Sequence, residues 1–106
     1  MVQAVLTIVA SAEKRDEVLK SMRSTIGPSR TQPGCTGCHV LIDAVEPRTL
    51  TLVHTWQTRA DLERHVTSET YRTLLAIMET SVDPPEVLFQ TVSKTEGFEL
   101  VESLRG

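Results

Sequence analysis

Residues 49–75 read TLTLVHTWQTRADLERHVTSETYRTLL, and the spacing of apolar residues changes inside this stretch. Thr49 to Gln57 is rich in Thr and Val and alternates in the period-two pattern of a strand. Thr58-x-x-Asp61 then resembles a capping box and opens a short helix through Val66. Ser68 is placed to cap a further helix, in which Tyr71, Leu74, Leu75 and Met78 form a narrow apolar stripe. A strand followed by two helices makes the chain α+β.

Working toward the N-terminus, Glu46-Pro47-Arg48 reads as a tight turn joining Thr49–Gln57 to an earlier strand, Cys35 to Val45. Two strands joined so closely pair antiparallel. Residues 28–34 read as loop, because Pro28, Ser29, Pro33 and Gly34 are turn formers. Before them Val18, Leu19, Met22 and Ile26 recur at helical spacing, with Ser11 as cap, Glu13 in the favourable first turn and Gly27-Pro28 as the stop. Val2 to Ala10 alternates as a first strand with no charge on either side.

Toward the C-terminus, Asp83-Pro84-Pro85 stops the last long helix. Val87 to Lys94 reads as a fourth strand, and Phe98, Val101 and Leu104 suggest a short terminal helix. The order is β-α-β-β-α-α-β with a helix appended. That is the ferredoxin-like split βαβ arrangement, whose right-handed crossovers place the helices on one face of a four-stranded antiparallel sheet. The expectation is a single domain over residues 1–106, with its core in 2–96 and the terminal helix at 98–105.

Composition agrees with a globular chain. There are 106 residues, 40% of them hydrophobic and 24% charged, enough for one domain and too few for two. A net charge of -3, with scattered Lys and Arg, argues against nucleic acid or an acidic membrane as partner. No apolar run approaches the roughly 20 residues that cross a bilayer. Ala10-Ser11-Ala12 resembles a cleavage site, but the preceding stretch lacks a basic start and is broken by Gln3 and Thr7. The expected compartment is the cytoplasm, where Cys35 and Cys38 would be free thiols.

One sheet face is informative for what it lacks. Strand one offers Gln3, Val5, Thr7 and Val9 there, and strand three either Thr51, Val53 and Thr55 or Leu50, Leu52, His54 and Trp56. None is charged, although a solvated face usually carries charge. A homodimer closed through this face is expected.

Few residues carry chemistry. Cys35-Thr36-Gly37-Cys38-His39 matches the c-type haem attachment pattern, but that chemistry needs export. On a regular strand Cys35 and Cys38 would also point to opposite faces, which opposes joint metal, haem or disulfide work. No H-E-x-x-H and no zinc spacing is present. His39 has no distinguishing context. His54 shares a strand face with Leu50, Leu52 and Trp56. His65 falls at the edge of the stripe marked by Leu62 and Val66, where it could reach a cavity between helix and sheet. Asp61, one turn earlier, could hold its tautomer. Trp56 and Tyr71 read as core residues or as walls of a pocket for a flat aromatic ligand.

Pro33-Gly34-Cys35, the hairpin, and LVHTWQTRADLERHVTSETYRTLL together resemble the antibiotic biosynthesis monooxygenase domain of the dimeric α+β barrel superfamily. In that family a Trp closes strand three, a short helix carries a His, and an aromatic follows about six residues later; here these are Trp56, His65 and Tyr71. Many members carry Glu two residues before the Trp, where this chain has His54. Haem-degrading relatives use Asn, Trp and His at positions matching Thr7, His65 and Leu75, so the resemblance disfavours haem degradation here. It implies a homodimeric barrel and, within each subunit, a cavity between sheet and helices.

The resemblance further implies a monooxygenase using neither metal nor flavin, acting on a small electron-rich aromatic such as a quinol or anthrone. Such a site needs a base titrating near neutral pH and a fitted apolar cavity. The residues expected to serve are His65 as base or orienting group and His54 as second polar contact. Thr7, Trp56, Tyr71, Leu75, Met78 and Phe89 are the expected substrate contacts. Two alternatives stay open, a non-catalytic small-molecule-binding or dimerisation module and an isomerase using the same cavity.

Overall fold

The computed structural model describes residues 1–106. In chain order the elements are β1 (Val2–Val9), α1 (Arg15–Ser24), α2 (Ile26–Arg30), β2 (Cys35–Ile42), β3 (Thr49–Trp56), α3 (Arg59–Val66), α4 (Glu69–Glu79), β4 (Glu86–Thr91) and α5 (Phe98–Arg105). The strands form one antiparallel sheet in the order β2-β3-β1-β4, the ferredoxin-like α+β arrangement.

Strand alternation sets the layers. Val2, Ala4, Leu6 and Ile8 of β1 and Leu50, Leu52, His54 and Trp56 of β3 are buried, and each intervening residue is half-exposed. The buried face meets Val18, Leu19 and Met22 of α1 and Leu74 and Ile77 of α4 in the main core. A smaller cluster of Val2, Ala4, Trp56 and Leu62 closes the end of the sheet under α3. No residue of α5 is buried. No helix is long and apolar enough to cross a membrane.

Four element boundaries differ by more than one residue from the sequence reading, the first being α1, which begins at Arg15 and not directly after Ser11. The expected loop at Pro28 is the helix α2. Proline is tolerated in a first helical turn, where its missing N–H has no partner to lose. Thr25 makes the joint, its hydroxyl donating to the Met22 carbonyl at 2.7 Å and its own carbonyl accepting from Ser29 N–H at 3.0 Å. β2 ends at Ile42 because the Asp43 carboxylate accepts from the amides of Val45 and Glu46, bending the chain. β4 ends at Thr91 because β1, its only neighbour, begins at Val2.

β2 also carries a bulge. Cys35 pairs with Trp56, Gly37 with Thr55 and Cys38 with His54, leaving Thr36 as the extra residue. The inserted residue resets the alternation. Cys35 and Cys38 therefore share the helix-facing side, correcting the expectation of opposite faces, while His39, paired with Val53, is exposed on the other side. Both thiols are free, and burial raises that of Cys38 to about 11.

Candidate functional site

Four aromatic rings from three elements meet between the sheet and the helices. β3 contributes His54 and Trp56 on its inward face, α3 contributes His65, and α4 contributes Tyr71. The His65 ring centroid lies 4.7 Å from that of His54, 4.7 Å from that of Trp56, and 5.3 Å from that of Tyr71, which meets it edge-on. His54 and Trp56 stack at 5.9 Å. His65 is 1% exposed, so it is no edge residue. It shares the buried stripe of α3 with Leu62, and Val66 lies 37% exposed outside it.

Each histidine keeps one polar partner. His54 Nε2 shares a hydrogen bond with Ser29 Oγ at 3.3 Å, and His65 Nδ1 shares one with Gln32 Oε1 at 3.0 Å. The Asp61 carboxylate instead accepts from Thr58 Oγ1 and Arg64, so it does not hold His65. Ser68, expected as a helix cap, makes no side-chain cap; its hydroxyl donates to the His65 carbonyl at 2.6 Å. His65 Nε2 and Trp56 Nε1 are buried and meet no hydrogen-bonding group of the protein. Such groups are rare, because burial without a partner forfeits solvation.

Burial pushes both imidazoles down. His54 falls to about 4, from burial first and repulsion by His65 second, and His65 falls to about 4 from burial. Both are neutral at pH 7. The expected base titrating near neutrality is thus corrected to one that protonates only in acid. Burial also raises the Tyr71 hydroxyl.

His54, His65, Tyr71 and Phe89 border a void of about 10 Å³, roughly the room of one water. Phe89, half-exposed on the edge strand β4, also borders an open groove of about 380 Å³ formed with α3 residues Arg59, Leu62 and Val66. A larger hollow of about 550 Å³ between α1, α2 and β2 touches neither His54 nor His65.

The remaining sequence candidates lie elsewhere. Thr7 is on the opposite sheet face, where its hydroxyl shares a hydrogen bond with Thr51 at 3.2 Å; alternation along β1 sends Leu6 and Ile8 inward and Thr7 outward. Leu75 is 49% exposed, since α4 turns Leu74 to the core. Met78 packs against the main core and does not border the void. The sequence reading missed Ser29 and Gln32. Both fell in an assumed loop, and neither type marks a site by itself.

Residues 1–76 match the family model described as antibiotic biosynthesis monooxygenase. No curated protein matches the sequence. Among solved structures, a Nitrosomonas europaea protein given a provisional antibiotic biosynthesis monooxygenase name superposes with TM-score 0.79 at 18% identity, covering 89% of this chain and all of its own. Rv0793 of Mycobacterium tuberculosis gives TM-score 0.81 at 18% identity, covering 91% of this chain and 98% of its own. A Deinococcus radiodurans protein with the same provisional name gives 0.83 at 17% identity, covering 92% of this chain and 97% of its own. At these identities the likeness is one of fold.

Proposed function

The chain belongs to the antibiotic biosynthesis monooxygenase family, and from that premise we propose that it is a cofactor-independent monooxygenase of a small electron-rich aromatic of the quinol or anthrone kind. One observation carries the reading. A neutral, buried His65, packed at a tilt against Trp56 and His54, keeps an unpaired Nε2 and borders a void that shares Phe89 as a wall with an open groove.

The substrate enters from the groove, and Phe89 moves aside, since about 10 Å³ admits no aromatic ring. His65 accepts the phenolic proton and His54 is the second polar contact, while Trp56 and Tyr71 flank the ring. The substrate anion supplies the electrons: one atom of dioxygen enters the carbon framework and the other leaves as water. The protein's share is proton transfer, orientation and exclusion of bulk water. A low resting basicity is compatible with this role, because an imidazolium formed beside a phenolate gains an opposite charge that favours it.

The working form on this reading is a homodimer closed through the sheet face away from the helices, whose two central strands carry no charge, in the cytoplasm. Oxygen uptake with a panel of quinols tests the activity. The expected result is uptake by the wild type that falls about 10²–10⁴-fold in His65→Ala, the usual worth of a general base. Equal uptake by both proteins removes His65 from the chemistry. Ligand-induced thermal stabilisation without uptake moves the reading to a binding module.

A further inference from the structure

We infer that Gln32 is a positioning residue: it holds His65 in the Nδ1–H tautomer and so makes Nε2 the proton acceptor of the site. The inference deepens the reading of His65 as base and rests on it for its catalytic meaning, but its geometry stands without it.

Proton accounting carries the argument. Ser68 has one hydroxyl proton, and it is committed to the His65 carbonyl at 2.6 Å. Toward Gln32, Ser68 Oγ therefore offers only lone pairs. The Gln32 group facing it, at 3.5 Å, must be the amide nitrogen. That turns Gln32 Oε1 to His65 Nδ1 at 3.0 Å, and an acceptor there requires the proton on Nδ1. Flipping the amide would set Oε1 against the lone pairs of Ser68. Nε2, left bare, is the atom without a protein partner.

The backbone around Gln32 is pinned as a positioning residue requires. Its N–H donates to the Ser29 carbonyl at 3.1 Å, and its carbonyl accepts from Cys35 N–H at 3.2 Å. The next turn is closed by Gln57 N–H donating to the Gly34 carbonyl at 2.8 Å. Gly34 has φ +82°, and a Cβ there would collide with the Asp61 side chain. The loop is thus fastened to the start of α3, the helix that carries His65.

The test is ring nitrogen-15 NMR of the neutral histidines at pH 7, with His65 assigned through His39→Gln and His54→Gln variants. Wild type is expected to show a protonated Nδ1 and an unprotonated Nε2 at His65. Gln32→Leu should populate both tautomers, and Gln32→Glu, which keeps an acceptor, should restore the first. An Nε2–H form in wild type, or an unchanged spectrum in Gln32→Leu, overturns the inference. If Gln32→Leu fails to fold, the wild-type and Gln32→Glu spectra decide alone. With a quinol that the wild type oxidises, Gln32→Leu should lower kcat at least about 10-fold, the lower end of what is lost when the hydrogen-bond partner that fixes a histidine's tautomer is removed. A correct tautomer with no oxygen uptake would leave the inference standing and sink the oxygenase.

Discussion

Burial decides the protonation of His54 and His65. At about 4 in the folded chain, against 6.5 for an ordinary imidazole, each takes up its proton in the unfolded chain first as pH falls. The unfolded state therefore binds more protons between about pH 6.5 and 4. Stability is flat above that window, falls as pH drops through it, and levels off below. Between pH 7 and pH 5 each histidine should remove about 2 kcal/mol. Urea unfolding at the two pH values measures the loss, and His54→Gln or His65→Gln should each make it smaller. Variants losing as much as the wild type would show that these histidines titrate normally. That His54 shares an apolar strand face and that His65 adjoins the stripe of Leu62 and Val66 was legible from their spacing. Their mutual contact was not, since the two residues sit on separate elements whose packing brings the rings to 4.7 Å.

At the scale of elements, the short connections do more than join. α2 delivers Ser29 to His54, and the turn after it delivers Gln32 to His65. Gly34 is the point where that turn depends on one residue type, because its φ of +82° strains any L side chain and the space beyond is filled by Asp61. Gly34→Ala should cost about 1–2 kcal/mol from backbone strain alone. Each kcal/mol lowers Tm by about 4–8 °C in a domain of this size. In an Asp61→Gly background, which removes the Asp61 Cβ as well as its carboxylate, the collision is relieved and the strain is not, so a double-mutant cycle separates the two causes. A Gly34→Ala protein melting with wild type would show that the turn relaxes freely. The strands and their alternation were readable because period two survives any packing. The bulge at Thr36 was not, since it is expressed only in how β2 registers against β3.

For the whole molecule, the face away from the helices is the surface on which the proposed dimer rests. Gln3, Val5, Thr7 and Val9 lie beside Thr49, Thr51, Val53 and Thr55 across the two central strands, and Glu86 is the one carboxylate, at the β4 edge. Val5 and Val53 are directly opposite each other at its centre. A partner covering this face should exclude Val53→Lys, whose ammonium would be buried without a counter-charge. Size-exclusion chromatography at micromolar concentration should give a dimer for wild type and a folded monomer for Val53→Lys. A monomeric wild type, or a dimeric variant, would remove this face from the assembly. The exposed Phe98 and Leu104 of α5, 70% and 77% exposed, are further apolar surface that the chain itself does not cover.

Local pattern was enough for the order of elements, the four-stranded sheet, the capping box at Thr58 and the shared strand face of Leu50, Leu52, His54 and Trp56, whose inward direction the packing decided. Each follows from neighbours a few residues apart, whose periodicity is written directly in the chain. The tertiary structure alone decided that His65 is fully buried, that Gln32 and not Asp61 meets its Nδ1, that Thr7 and Leu75 stand apart from the histidines, and that both imidazoles are neutral. The reason is range. Desolvation and side-chain hydrogen bonds join residues such as Gln32 and His65 that are distant along the chain, and they exist only once helix and sheet have closed over one another.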